Sequence, residues 1–144
     1  MNQILRKLRE LCGQGSDLPD HLIRGQIGEE AAARYLRQKG LKVLAKNFKS
    51  KRGEIDLVLK DSDCVVFAEV KTRSDERWTR PAAAVNREKR QHLSMAAIDY
   101  LKAIKNPRVK IRFDIVEVLL TGEEVREIRH LPNSFEMEEP FRYG

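Results

Sequence analysis

The sequence predicts an α/β domain of order αβββαβ, with a mixed central sheet flanked by helices. Three observations carry this. Residues 20–39 repeat apolar side chains at helical spacing. Three apolar segments then follow one another across short polar turns. A second long helical stretch separates the third of them from a strong fourth strand. Tight turns make the first three strands an antiparallel meander, and the helical crossover sets the third and fourth strands parallel.

Each element has its own signal. Asp20 caps the first helix and Gly40 stops it. Residues 41–48 read as the first strand, and Ser50-Lys51-Arg52-Gly53 turns into a second over 54–60. Asp61-Ser62-Asp63 turns again into a third over 64–71. Residues 72–81 form a polar loop whose one large apolar side chain is Trp78, placed to pack or to stack on a base. The second helix begins at Ala82 or Val85 and runs to Ile104, ended by Asn106-Pro107. Residues 109–120 alternate as a strand, and Thr121-Gly122 turns back into a short edge strand over 125–129.

The 144 residues suit one domain over 19–130. Residues 1–18 are an amphipathic helix, with Ile4, Leu5, Leu8 and Leu11 at helical spacing, followed by a flexible joint at Gly13-Gln14-Gly15-Ser16. That helix is read as packing on the body or on a partner, ahead of lying on a membrane. It lacks the continuous apolar run of a secretory signal. Residues 131–144, with Pro132 and Pro140, are expected to be a loosely ordered tail. No stretch approaches the roughly 20 apolar residues a membrane span needs, so no membrane partner is expected. Cys12 and Cys64 are too few for a disulfide framework, which leaves the reducing cytoplasm as the default compartment.

A net charge of +6 suits a polyanion partner. Lys42, Lys46, Lys49, Lys51 and Arg52 stand together without an intervening acid. A second basic group, with Arg73, Arg77, Arg80, Arg87 and Lys89, follows residue 71. Both groups flank an acidic cluster, which favours nucleic acid. Lys46, Lys49, Lys51, Arg52, Arg73, Arg77 and Arg80 are its candidate contacts.

The cluster itself comes from two strands. Alternation puts Glu54, Asp56 and Val58 on one face of the second strand and Ile55, Leu57 and Leu59 on the other. It also groups Val65, Phe67, Glu69 and Lys71. Two acids and a lysine at the ends of apolar strands must be paired or bind a metal. Asp56 and Glu69 are therefore candidate ligands for Mg²⁺ or Mn²⁺, and Lys71 a contact for a scissile phosphate or an attacking water. On the first helix, Glu29 shares the inward stripe of Leu22, Gly25, Ala32, Ala33 and Leu36, while Glu30 turns toward solvent. On the second, Lys89 shares a stripe with Leu93, Ala96, Tyr100 and Ile104. Glu54 sits at the strand entrance, and Asp114 reads as a sheet or interface acid rather than a ligand. Asp56 and Glu69 held as a structural pair by Lys71 and Lys89 is the competing reading.

Taken in order, Gly25-Gln26-Ile27-Gly28-Glu29, Gly53-Glu54-Ile55-Asp56-Leu57 and Phe67-Ala68-Glu69-Val70-Lys71-Thr72-Arg73 resemble the YraN family of small bacterial proteins, as do Ala84-Val85 with Lys89 and Arg112-Phe113-Asp114. That family is similar to archaeal Holliday junction resolvases and the restriction-endonuclease-like PD-(D/E)XK nucleases. The resemblance implies a restriction-endonuclease-like αβββαβ core and a Mg²⁺-dependent nuclease site. It makes Asp56 and Glu69 the metal-binding acids, Lys71 the catalytic lysine, Glu29 the helix acid and Lys89 a phosphate-binding assistant. By analogy it also implies a homodimer cutting two strands symmetrically. Ile55 stands where the wider pattern often has proline, Thr79 where a glycine is expected and Ala83 where an acid is frequent.

The function expected is thus an endodeoxyribonuclease acting on DNA, on branched or repair intermediates. The alternatives are a non-catalytic nucleic-acid-binding module and an interaction protein working through its N-terminal helix.

Overall fold

The computed structural model describes residues 19–74 and 85–139. The elements are α1 (Asp20–Gln38), β1 (Lys42–Ser50), β2 (Gly53–Asp61), β3 (Cys64–Arg73), α2 (Arg87–Ala103), β4 (Lys110–Thr121) and β5 (Glu124–Phe135). The expected N-terminal helix and joint, the loop residues Arg77, Trp78, Thr79, Arg80 and Ala83, and residues 140–144 lie outside the described residues.

The strands form one sheet in the order β1-β2-β3-β4-β5. The first three are antiparallel, β3 and β4 run parallel, and β5 returns antiparallel. This is the expected mixed sheet, with α1 on one face and α2 on the other. Under α1 lie Ile27, Ala33 and Leu36 against Leu57, Val66, Val116 and Val118. Under α2 lie Leu93, Ala97 and Leu101 against Ile55, Val58, Phe67 and Phe113. Helices on both faces explain why β3 and β4 read as near-continuous apolar runs. Among the described residues no helix is long and apolar enough to cross a membrane.

Four local readings change. Asp20 is not the cap of α1: the cap position is Pro19, and Asp20 lies in the first turn, where its charge favours the helix dipole. Helix α2 starts later than expected, at Arg87, because the Asn86 side chain accepts the Lys89 N–H at 2.9 Å. Leu22, expected on the inward stripe, is exposed. Strand β5 runs on to Phe135 instead of stopping near Arg129. The Phe135 ring stacks on Phe113 at 4.9 Å, and Phe67 and Tyr100 extend the aromatic row across the α2 face. Asn133 (φ 51°) and a register shift between Phe113 and Ile115 absorb Pro132 within the strand.

The alternation assumed for β2 fails at one point. Ile55 packs under α2 with Val58, whereas Leu57 and Leu59 pack under α1. The ladder to β3 runs from Asp61↔Cys64 to Leu57↔Ala68 and ends there. Beyond it β2 leaves β3, and the strand rotates so that residues on either side of Asp56 face opposite layers. Opposite Asp56, β1 carries Asn47 at φ 51°.

Gly28 sets the distance of α1 from the sheet, since a Cβ there would drive into the Thr72 side chain. Alanine is the better helix former by about 1 kcal/mol, but the stiff, β-branched Thr72 leaves no room, and overpacking costs roughly 1–3 kcal/mol. Gly28→Ala is therefore expected to lower stability by up to about 2 kcal/mol in denaturant melts, with much of the loss recovered by Gly28→Ala/Thr72→Ala. A single variant as stable as the parent would show that α1 is not pinned here.

Candidate active site

The end of the β2–β3 ladder brings Asp56 to Glu69. With β2 gone from its side, the Val70 N–H is left without a ladder acceptor there, and it donates to Asp56 Oδ2 at 2.8 Å. The two carboxyl groups hydrogen-bond to each other. Two carboxylates held this close repel, which favours a proton on one of them. Glu69 is almost fully buried. Its carboxyl is pushed up to about 7, first by burial and then by the charge of Asp56, against the pull of Lys89 and Lys71. Burial raises Asp56 as well, and the Val70 N–H opposes it.

Two lysines reach the same oxygen from different elements. Lys71 Nζ lies 3.6 Å and Lys89 Nζ 3.5 Å from Glu69 Oε1. Lys71 comes from the end of β3 and Lys89 from the first turn of α2. Glu29 approaches from α1, on the far wall of a cleft of about 330 Å³ that also exposes Asp56, Glu69 and Val70. Burial and the Asp56 charge raise the Glu29 carboxyl, and a hydrogen bond from the Asn47 side chain works against them. The five residues expected to carry chemistry thus gather at one end of the sheet, where both helix layers reach the rim. Asp56 and Glu69 form the tight pair. Among the described residues no three Asp, Glu, His or Cys side chains converge closely enough to surround an ion as they stand.

The expected nucleic-acid contacts are more scattered. Lys46 donates to Glu30 at 2.8 Å, and Lys49 stands 4.0 Å from Glu54. Arg52 makes a two-bond contact with Asp99 that ties the β1–β2 turn to α2. Lys51 is exposed in that turn. Arg73 is half-buried on β3, and its Nε has no hydrogen-bond partner among the described residues. Arg77 and Arg80 lie outside those residues.

Sequence reasoning missed Asn47 and Glu117. Asn47 sat in a basic strand with nothing to mark its left-handed backbone, a conformation that asparagine tolerates better than most residues. Glu117 is fully buried on β4, beside Lys71 in the parallel ladder. Neither of its carboxylate oxygens has a hydrogen-bond partner among the described residues. Burial raises its pKa, while the charges of Arg73 and Arg129 pull it down. An acid inside the apolar run from Ile115 to Leu120 was the available signal. Asp114 is the sheet acid expected: it accepts from Arg112, from the Asn133 N–H and from His130, fastening β5 to β4. Lys39 lies 3.3 Å from His130 Nδ1, so the Nε2 proton is the one given to Asp114.

The model of the uncharacterised protein family UPF0102 matches residues 28–118. Every residue of the acid–lysine cluster falls inside that span. The chain belongs to the UPF0102 family. This agrees with the YraN resemblance read from the motifs. A UPF0102 protein of Syntrophomonas wolfei is 44% identical over 111 residues, covering 77% of this chain and 96% of the relative. One from Trichlorobacter lovleyi is 37% identical, covering 78% and 90%. One from Rhodococcus opacus is 33% identical, covering 80% and 98%. The span matched by the family model therefore covers most of the domain that holds the cleft.

Raised carboxyl groups make stability depend on pH in a known direction. Glu69 binds its proton more tightly folded than unfolded, so its contribution is intact below the ordinary value of 4.5 and is lost as pH rises through about 7. Denaturant midpoints in chelator-treated buffer are expected to fall between about pH 5 and pH 8. Glu69→Gln, which keeps the neutral shape, should flatten that fall. An undiminished slope in the variant would assign the pH dependence to other groups.

Proposed function

We propose that this chain is a metal-dependent endonuclease that binds DNA and hydrolyses its phosphodiesters at the Asp56–Glu69–Lys71 cluster. The observation that carries the reading is the pairing of the buried Glu69 with the partly buried Asp56, beside two lysines that reach Glu69 Oε1 at 3.5 and 3.6 Å. A close acid pair that favours a bound proton is costly as a structural device. It is well suited to exchanging that proton for a cation.

The donor set fits Mg²⁺ or Mn²⁺. Both take hard oxygen ligands, and Mg²⁺ is held by one or two carboxylates together with water and substrate phosphate. Asp56 and Glu69 would hold the ion, with Glu29 across the cleft as a further oxygen donor. The ion would supply charge neutralisation at the phosphate and an acidified water. The remaining work falls to the chain's own residues. Lys71 would contact a non-bridging oxygen of the scissile phosphate and orient the attacking water. Lys89 would neutralise charge from the α2 side, a preorganised donor needing no rearrangement in the reaction. The Val70 N–H keeps Asp56 fixed while that proton leaves. Branched or repair intermediates are the substrate class the resolvase resemblance suggests, and cutting two strands symmetrically would call for a dimer.

Cleavage of labelled single-stranded, duplex, flap and four-way-junction DNA with Mg²⁺ or Mn²⁺ tests this. Asp56→Ala/Glu69→Ala should abolish cleavage, and Lys71→Ala should slow it by roughly 10²-fold or more. In parallel, the rise in melting temperature on adding Mg²⁺ should be larger at about pH 8 than at about pH 6, because a proton on the acid pair competes with the ion. Cleavage undiminished in the double variant would place the chemistry elsewhere. Tight DNA binding without cleavage by any form would favour the non-catalytic binding module.

A further inference from the structure

The cleft does not end at the acids. Along α1 it is walled by His21, Arg24 and Gly25, and facing them stand Thr72 and Ser74 at the end of β3. A second cavity of about 290 Å³ adjoins it toward Gly122 and Glu123 of the β4–β5 turn. The two share Arg24 and Ser74, whose side chains meet where Arg24 Nη1 donates to Ser74 Oγ at 3.0 Å. The result is one groove that leads away from Asp56 and Glu69, with a guanidinium at its midpoint.

Among the described residues, packing gives no reason for a glycine at Gly25. Both α1 glycines weaken the helix relative to alanine. Gly28 is explained by Thr72, but a Cβ at Gly25 would meet nothing within 4 Å. The missing side chain instead leaves bare helix backbone along the groove, one turn before Glu29 and on the same stripe. Arg24 is distinctive in a second way. Lys46, Arg52, Arg90 and Arg112 are each engaged with carboxylates. Among the described residues, Arg24 gives its hydrogen bond to a neutral hydroxyl. Exchanging that hydroxyl for an anion breaks no ion pair shown among them.

We propose that the α1 wall at Gly25 and Arg24 seats a phosphate of the substrate strand next to the scissile one. Gly25 provides the clearance, and Arg24 turns from Ser74 to grip the phosphate oxygens in the two-bond geometry guanidinium favours. This rests on the nuclease reading and extends it: the bound strand runs along α1, from the acid pair toward the β4–β5 turn. Among the described residues, Lys46, Lys49, Lys51, Arg52 and Arg73, picked out by charge along the chain, do not line this groove.

The test measures binding apart from cleavage. Fluorescence anisotropy would follow labelled single-stranded, duplex, flap and four-way-junction DNA with Ca²⁺ in place of Mg²⁺, across a salt series, beside thermal melts. Gly25→Ala should raise the melting temperature by about 2–4 °C and yet weaken DNA binding roughly tenfold. Arg24→Gln should leave the melting temperature within about a degree, weaken binding roughly tenfold and reduce the log–log salt slope on duplex DNA by about 0.9. A stabilised Gly25→Ala with undiminished binding, or an Arg24→Gln with the parental slope, would overturn the proposal. If Gly25→Ala loses stability and binding together, the salt slope of Arg24→Gln decides alone. Failure of the nuclease reading looks different: parent protein that binds none of the four DNAs would end both. Parent protein that binds without cutting would end the nuclease while leaving these variants to judge the groove.

Discussion

One hydrogen bond orders the rest of the site: the Val70 N–H given to Asp56 Oδ2. Where β2 parts from β3, a backbone donor at the end of a buried ladder loses its strand partner. Such donors are rarely left unmet. A carboxylate from the departing strand meets this one, and in doing so Asp56 is held beside Glu69. Everything electrostatic follows. The charge of Asp56 adds to burial in pushing Glu69 to about 7, and both lysines approach one of its oxygens. Had the ladder continued regularly, Ile55 and Leu57 would share a face and Asp56 would be an ordinary member of a paired strand. The local failure of sheet geometry and the candidate chemistry are the same event.

Two glycines on α1 show how differently one residue type can serve a fold. Gly28 brings the helix close to β3 and is filled from outside by Thr72. Gly25, less than one turn earlier, faces open space. The first is a packing constraint, and the second has no counterpart in packing among the described residues. Placing both on the helix that carries Glu29 means its position and the width of the cleft are set by neighbouring but separable residues. Adding a methyl group should affect stability with opposite sign at the two sites, and that separates structure from use more cleanly than charge removal does.

Much of this was legible in the sequence. Helical spacing, polar turns and the crossover yielded the order of elements and the parallel β3–β4 pair. The opposition of acids to an apolar background marked Asp56, Glu69 and Glu29, and the stripe on α2 marked Lys89. What escaped was set by context. Ile55 was assigned to the wrong face because alternation assumes an unbroken ladder, and nothing in the segment announces where pairing stops. Pro132 suggested a tail, whereas stacking of Phe135 on Phe113 and the Asp114 network carry β5 past it. Asn47 and Glu117 act through residues distant in sequence, one by a left-handed backbone opposite Asp56 and the other by burial beside Lys71 on the neighbouring strand. Tertiary partners, not local propensity, decided each of these.

Charge is where reading along the chain and reading in space diverge most. A run of cations suggests a surface for phosphates, yet Lys46, Lys49 and Arg52 each face an acid contributed by another part of the fold. Pairing neutralises locally but removes one charge of each sign, so the net +6 is untouched by it. That excess remains available to steer a polyanion over distances near the Debye length of about 8–10 Å. At shorter range the balance reverses, because Glu29, Asp56 and Glu69 line the same cleft and repel a phosphate. Lys71 and Lys89, beside Glu69, offset part of that negative charge. In the nuclease reading, a divalent ion held by Asp56 and Glu69 would supply a further share of positive charge, and a cation engaged by a hydroxyl rather than a carboxylate could supply a second. Arg24, at the middle of the groove and bound to Ser74, is positioned for that second share.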